Sequence, residues 1–230
     1  MAINDRQTEI IKLLKENKRM SVKSLADRLF VCEMTIRRDL KELELLGHIQ
    51  RYNGGAVYSG EYNNLPISSR KLLHQAEKKK ISSQAKKYLS DSITVFIDSS
   101  STCLYIVPML SEYENITIIT NSVQCLIVAS KYHISCIMAG GNYYEHDMCT
   151  VGSMTNDFLR SFNPDIGFFS SRGLSDDGII SDGDENQTAA RKSVMANCKK
   201  KIFMFDSAKQ HKKYTYTLCT TDDIDDVILV

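Results

Sequence analysis

The chain has 230 residues, of which 43% are hydrophobic and 25% are charged. These values are typical of globular proteins and exclude a disordered or fibrous chain. No apolar run reaches the roughly 18 residues needed to cross a bilayer, and the N-terminus lacks the basic-then-apolar pattern of a secretion signal. We therefore expect a cytoplasmic protein without a membrane partner.

The formal net charge is only +1, but it is unevenly distributed. Residues 1–60 contain 11 lysines and arginines against 8 acidic residues, whereas the remainder is slightly acidic. A small basic segment on an acidic body is typical of proteins that bind DNA through one end.

The seven cysteines are scattered and form no Cys-x-x-Cys pair. This spacing argues against a disulfide framework and a zinc site. We expect neither a metal nor a cofactor, and keep a redox or metal role as the minor alternative. The cysteines are Cys32, Cys103, Cys125, Cys136, Cys149, Cys198 and Cys219.

Apolar residues repeat at helical spacing in three early segments, Asp5–Asn17, Val22–Leu29 and residues 33–46. This pattern predicts three short helices. Ser21 suits the N-cap of the second helix, and Gly47 suits the end of the third. The residues expected to face inward from the third helix are Met34, Ile36, Leu40, Leu43 and Leu46.

Hydroxyl and basic side chains are expected on the outer side of the third helix. A short turn between the second helix and such a third helix is the helix-turn-helix arrangement, whose first turns enter the major groove. An Asn53-Gly54 turn then predicts a β-hairpin wing over residues 48–58. The alternative is a three-helix interaction module with ordinary solvated charges. The residues expected to contact double-stranded DNA are Ser21, Lys23, Ser24, Thr35, Arg37, Arg38, Lys41 and Arg51.

Residues 59–64 are polar and read as a linker, and residues 68–89 read as a long helix carrying the run Glu77-Lys78-Lys79-Lys80. That run more often marks a solvated helix face than a DNA contact. The predicted division is a winged helix-turn-helix at 1–58, a linker and the start of a connecting helix at 59–75, and an α/β domain at 76–230.

Short β-branched runs then alternate with helical segments, which predicts a mostly parallel sheet covered on both faces. The second domain is therefore of the α/β class. The runs cover residues 93–97, 116–119, 134–139, 166–169, 202–205 and 227–230.

Small polar residues follow these runs, and ligands of open α/β sheets bind beyond the carboxyl ends of the strands. Residues 99–102 should begin a helix through residues 104–110, where free backbone N–H groups suit a phosphate. Ordinary loops and helix caps are the alternative. The residues expected to bind an effector are Asp98, Ser99, Ser100, Ser101, Thr102, Asn121, Ser122, Gly140, Gly141, Gly173, Lys192, Asp206 and Lys209.

The string Thr-Ile-Arg-Arg-Asp-Leu at residues 35–40 resembles the deoxyribose-operon repressor (DeoR) family of bacterial regulators. The resemblance continues through the body to Asp206-Ser207 and Lys209. It implies a sensor domain similar in fold to ribose phosphate isomerase. It also implies a homo-oligomer, dimeric or tetrameric, that represses a sugar-utilisation operon and responds to a small phosphorylated sugar. Matching head residues are Arg6, Ile10, Leu14, Gly47, Ile49, Arg51, Gly54, Gly55 and Ala56.

Four positions depart from the family pattern: Cys32 before the third helix, and Ser100, Ser170 and Thr188 in the sensor. Added Cβ atoms restrict the approach of an anion to the backbone. One alternative is therefore a regulator whose sensor is degenerate. The other is a sugar-phosphate isomerase with an attached DNA-binding head, which needs a carboxylate base; Asp98, Glu185 and Asp206 are the candidates. We expect that the protein is not an enzyme, because the sequence shows no paired general acid and general base.

Overall fold

The computed structural model describes residues 3–17, 19–46, 48–58, 66–71 and 74–230. The chain divides into two compact units, Met1–Leu73 and His74–Val230, here called the head and the body. The division falls within the region that the sequence assigns to the linker and connecting helix. Residues 59–64 and Gly47 lie outside the described residues. Within the described ranges, no helix has the length and apolar character needed to span a membrane.

The head is built from helices and one small antiparallel sheet. The sheet has the order β1-β3-β2, so a short strand before α2 joins the predicted wing. Gly54 adopts a φ of +95° in the wing turn, a conformation that favours glycine. The elements are α1 Asp5–Asn17, β1 Arg19–Ser21, α2 Val22–Leu29, α3 Glu33–Leu45, β2 Ile49–Tyr52, β3 Gly55–Tyr58 and α4 Ile67–Arg70.

Three of the predicted inward residues of α3, Ile36, Leu40 and Leu43, are buried in the head core. Ser21 caps α2 as predicted, because its hydroxyl accepts a hydrogen bond from the Ser24 amide at 3.0 Å. The prediction for Met34 was wrong, since its side chain is 73% exposed.

The body centres on a six-stranded sheet of order β14-β12-β9-β4-β5-β6, in which every pair is parallel. All six predicted runs are strands of this sheet. Val95 and Ile97 pack on one face, whereas Phe96 packs on the other, so both faces are covered as predicted. The sheet strands are β4 Thr94–Ile97, β5 Thr117–Thr120, β6 Ser135–Met138, β9 Ile166–Phe169, β12 Lys201–Phe205 and β14 Asp226–Leu229.

Five further strands, which the sequence did not predict, form antiparallel pairs outside this sheet. The remaining elements are α5 Gln75–Ala85, α6 Val123–Lys131, β7 Asn142–Tyr144, β8 Cys149–Val151, α7 Ser153–Arg160, β10 Gly173–Leu174, β11 Ile179–Asp182, α8 Glu185–Met195 and β13 Tyr216–Thr220.

Two helix predictions were wrong. The long helix over residues 68–89 is instead α4, then α5, then a 3-10 turn at Lys86–Tyr88. His74 precedes α5 with a φ of +51°, which is incompatible with a continuous helix. The helix expected over 104–110 is two 3-10 segments, Cys103–Tyr105 and Val107–Glu112, and Pro108 lies inside the second. Proline provides no N–H donor there.

An ion pair ties α1 to α3. Arg6 donates through Nε and Nη2 to the two carboxylate oxygens of Asp39 at 2.5 and 3.2 Å, and Asp39 is buried. Asp39 belongs to the family-like string at residues 35–40, yet it faces the core side of α3. Its role is therefore to stabilise the head, not to contact DNA.

We expect Arg6→Met to lower the free energy of unfolding of the head by about 1–3 kcal/mol, because Asp39 would stay buried without its charged donor. Urea unfolding followed by circular dichroism measures this loss. The double variant Arg6→Met/Asp39→Leu should recover part of it, since it removes the buried charge too. A single variant as stable as the parent would contradict this role.

Candidate DNA-binding surface and effector site

The outer side of α3 carries the residues predicted to contact DNA. Arg37, Arg38 and Lys41 are exposed, and Thr35 is half-buried. Together with Arg51 of the wing they line one surface depression. Arg37 also pairs with Glu33 at 3.2 Å, one turn earlier on the helix. The structure thus brings together five of the eight predicted residues on one basic surface.

Arg51 is fixed to α3 by a glutamate. Its backbone N–H donates to Glu44 Oε1 at 2.8 Å, and its Nε donates to Glu44 Oε2 at 2.7 Å. The Arg51 side chain keeps 42% of its surface exposed to solvent. The wing strand β2 is therefore held against α3 in a set register, with one guanidinium edge occupied.

The three predicted residues at the start of α2 are all exposed, but they do not line that depression. The hydroxyl of Ser21 is already engaged as the helix cap. Lys23 and Ser24 lie in the first turn of α2, where exposed donors suit phosphate oxygens.

Cys32 stands at the N-cap of α3 and provides no side-chain cap to the helix. Its Sγ lies 3.2 Å from the Thr35 hydroxyl. That hydrogen bond lowers the pKa of the exposed thiol from its ordinary value. Deep burial has the reverse effect on Cys149, whose thiol pKa it raises to about 12. Within the described ranges, no group of three potential metal ligands converges on one point.

The loop after β4 lies at the carboxyl edge of the parallel sheet. All five residues of the predicted segment Asp98 to Thr102 are buried. The Ser99 hydroxyl donates to Gln187 Oε1 at 3.0 Å, and the Ser100 hydroxyl accepts from the Cys103 amide at 3.0 Å. Ser100 thus supports the turn into the 3-10 segment.

Two buried lysines reach the hydroxyls of this loop. Lys78 Nζ donates to Ser101 Oγ at 3.2 Å. Lys209 Nζ donates to Thr102 Oγ1 at 3.3 Å and to Ser170 Oγ at 2.7 Å. The exposed fractions of the two lysines are 0% and 2%. Such burial is unfavourable for an ammonium group unless it is hydrogen-bonded and balanced by negative charge.

A buried arginine closes the other side of the loop. Arg191 Nε lies 3.1 and 3.0 Å from the two oxygens of Asp98, and its Nη1 lies 2.8 Å from Asp182 Oδ2. Burial alone would lower the pKa of the Arg191 guanidinium, but Asp98 and Asp182 outweigh that effect and raise it. Asp98 also accepts from the Ser170 amide at 3.2 Å. Its carboxylate is therefore fixed by ion pairing.

The neighbouring strand ends are also buried. Asn121 Nδ2 donates to the Thr150 carbonyl at 2.8 Å, whereas its buried Oδ1 has no hydrogen-bond partner among the described residues. Ser122 caps α6 by accepting from the Cys125 amide. Asp206 is fully buried at the end of β12. These residues follow strands of the same parallel sheet, and their part in binding an effector stays a prediction.

Close packing explains two of the three predicted glycines, Gly141 and Gly173, whereas a Cβ at Gly140 would meet no atom within 4 Å. A Cβ at Gly141, which has a φ of +147°, would overlap the Thr155 hydroxyl. The Gly140 carbonyl accepts a hydrogen bond from that hydroxyl at 2.8 Å. A Cβ at Gly173 would lie 2.5 Å from the Lys212 carbonyl oxygen.

The prediction for Lys192 needs correction. Lys192 is exposed, whereas the preceding residue, Arg191, is buried against Asp98. Successive helix residues point about 100° apart, so the two cannot face the same loop. Lys78 was also missed, because the run Glu77-Lys78-Lys79-Lys80 reads as solvated. Lys79 and Lys80 are indeed exposed. Lys78 differs from them only in the side of the helix on which it lies.

Ser170 and Thr188, the other two positions where the sensor departs from the family pattern, also have structural roles. The Ser170 hydroxyl donates to the Met204 carbonyl at 2.6 Å while accepting from Lys209. The Thr188 hydroxyl donates to the Asp184 carbonyl one turn earlier in α8. Ser170 thus contacts the buried Lys209, whereas Thr188 bonds to the N-cap residue of its own helix.

Known proteins resemble this chain over most of its length. The uncharacterised HTH-type transcriptional regulator YulB of Bacillus subtilis (strain 168) is 29% identical over 230 residues, which is 99% of this chain and 89% of that protein. The glycerol-3-phosphate regulon repressor of Escherichia coli (strain K12) is 29% identical over 212 residues, 91% of this chain and 83% of that protein.

Among solved structures, ribose 5-phosphate isomerase A from Methanocaldococcus jannaschii shares 17% identity at a TM-score of 0.45. The match covers 59% of this chain and 54% of that chain. It is a partial likeness of the backbone, and it says nothing about activity.

Two family models match the two units. The DeoR-like helix-turn-helix domain matches residues 6–61, and the DeoR C-terminal sensor domain matches residues 73–229. The helix-turn-helix with its wing and the parallel α/β body correspond to these two parts. The chain belongs to the DeoR family of helix-turn-helix transcription regulators.

Proposed function

We propose that this regulator is a repressor that binds an operator through α3 and the wing and is released by a small phosphorylated sugar. The observation that carries the effector part is the burial of Lys78 and Lys209 against the hydroxyls of Ser101 and Thr102. A phosphate group placed there accepts charge-assisted hydrogen bonds from both ammonium groups.

The sugar part of the effector is supported by the polar groups next to this loop. The buried Asn121 Oδ1 is an acceptor without a partner among the described residues, and a sugar hydroxyl would supply the donor. One relative is named for the glycerol-3-phosphate regulon, which itself takes its name from a small polyol phosphate. We therefore infer a phosphate ester that carries several hydroxyl groups.

The proposed site is closed, since Lys78, Ser101 and Lys209 are almost completely shielded from solvent. An effector thus binds only a conformation in which the covering residues have moved, and it shifts the population toward that conformation. The helix α5 is placed to transmit the change. It carries Lys78, and its Glu77 accepts from the Ser207 amide at 2.8 Å. In chain order, α5 directly follows the segment that joins the two units.

Two copies of the chain are expected to bind together, because paired half-sites about one helical turn apart are the usual target of such heads. Dimer or tetramer formation is part of this proposal. Effector binding would change the relative placement of the two α3 helices. Operator binding weakens because the effector binds more tightly to the conformation with low operator affinity.

Replacement of a basic residue of α3 tests the DNA-binding part. Arg37→Ala and Arg38→Ala should each weaken binding to a selected operator by about 1–3 kcal/mol if the arginine contacts a base edge. The operator is first enriched from random duplexes with the full-length protein, and affinity is then measured by fluorescence anisotropy. Arg28→Ala is the matched control, since Arg28 is exposed on α2 and does not line the α3 surface. If Arg37→Ala and Arg38→Ala bind the operator as tightly as the control Arg28→Ala, this assignment is refuted.

Replacement of a buried lysine tests the effector part. A panel of sugar phosphates is screened by thermal shift, where a ligand at 100 times its Kd stabilises the folded protein by about 2.7 kcal/mol. Lys78→Met and Lys209→Met should each weaken binding of the active compound by about 10- to 100-fold, because a hydrogen bond to a charged group is lost. The exposed Lys192 provides the control variant Lys192→Met, which should bind normally. A panel without any stabilising compound would favour a degenerate sensor.

The contacts of the Asp98 carboxylate disfavour the isomerase alternative. Its carboxylate oxygens are already engaged by Arg191 and by the Ser170 amide, whereas a general base must lie within hydrogen-bond reach of the substrate proton that it takes. We expect the purified protein to convert no ribose 5-phosphate to its ketose isomer in a coupled assay. Turnover that disappears in Asp98→Asn would establish an enzyme.

A further inference from the structure

We propose that Met34 reads thymine in the operator, by packing its side chain on the 5-methyl group in the major groove. The proposal rests on the DNA-binding role of α3 argued above and adds a specificity-determining residue to it. Met34 is not among the residues that the sequence predicted to contact DNA.

The position of Met34 on α3 supports the proposal. Residues three, four and seven positions apart share one face of a helix, so Met34 lies in one stripe with Arg37, Arg38 and Lys41. The same four side chains line the surface depression that also includes Arg51. The opposite face of α3 is buried through Ile36 and the residues one and two turns after it. Met34 is thus the apolar member of the outward stripe, in the first turn of the helix.

The exposed side chain of Met34 is available to contact an apolar group of a binding partner. Its side chain is 73% exposed, although its neighbours in the stripe are charged. The first turns of such a helix approach base edges, and the thymine methyl is the apolar group that base pairs present in the major groove. Methionine is flexible and polarisable, and it adapts to small apolar surfaces.

The surrounding charge favours DNA over a second copy of the chain. Arg37, Arg38, Lys41 and Arg51 surround Met34 with positive charge. A two-fold interface places the same patch of both copies face to face, so these cations would repel each other. The phosphate backbone supplies the complementary charge.

Substitution of thymine by deoxyuridine tests the proposal, because it removes the 5-methyl group alone. The operator is selected with the full-length protein, and each thymine of a half-site is replaced in turn. At one or two positions we expect the affinity of the parent protein to fall about three- to tenfold, as burial of one methyl-sized group contributes about fourfold. Met34→Ala should bind the thymine operator more weakly by a similar factor and lose no further affinity on the deoxyuridine duplex.

Two variants serve as controls. Met154 is also 73% exposed but lies on α7 of the body. Met154→Ala should therefore bind like the parent and keep the full discrimination between thymine and deoxyuridine. Met34→Leu retains an apolar side chain and should keep most of that discrimination. Circular dichroism establishes that each variant is folded.

The proposal is overturned if Met34→Ala still discriminates thymine from deoxyuridine at every position, or if the parent protein never does. When Arg38→Ala weakens binding in such a protein, α3 still binds DNA and only the role of Met34 is wrong. A parent protein that enriches no duplex would instead refute the proposed DNA-binding role itself. A change of oligomeric state in Met34→Ala, without any deoxyuridine effect, would assign Met34 to a protein interface.

Discussion

Buried positive charge at the carboxyl edge of the parallel sheet is the constraint around which the body is organised. Lys78, Arg191 and Lys209 reach this edge from three different elements and are almost completely shielded from water. A cation in such a place requires hydrogen bonds and compensating negative charge. Arg191 obtains both from Asp98 and Asp182. The two lysines donate to the hydroxyls of Ser101 and Thr102, and in the proposed complex a bound phosphate adds negative charge beside them.

The parallel register explains why these groups meet. Strands β12, β9 and β4 are neighbours in the sheet, and the residues directly after them are Asp206, Ser170 and Asp98. Because parallel strands end at the same edge, three chain segments more than thirty residues apart deliver polar side chains to one place. Glu77 then links α5 to the segment after β12. The same geometry that closes the proposed effector site therefore also connects it to the helix nearest the head in sequence.

Much of this arrangement was predictable, and the exceptions have physical reasons. The six strands were found because β-branched runs are bounded by turn residues, and the rim residues followed from the strand ends. Lys78 could not be found, because a run of charges gives no sign that one member is buried by a loop 23 residues later. Lys192 was predicted and Arg191 was not considered, because the sequence does not show which of two neighbouring helix positions faces the core; packing decides this. Of the unpredicted antiparallel strands, β7 and β8 have three residues each and β10 has two, which is too short to show a periodic pattern.

In the head, two residues of α3 break the rule that apolar side chains are buried and charged ones exposed. Asp39 is buried although it lies in a basic run, and Arg6 accounts for it within the head. Met34 is exposed although it is apolar, at the start of the face that carries Arg38. Departures of this kind concentrate at functional positions, where a binding partner supplies the missing contact. We infer that the partner of Met34 is the duplex, since the cations beside it select a polyanion.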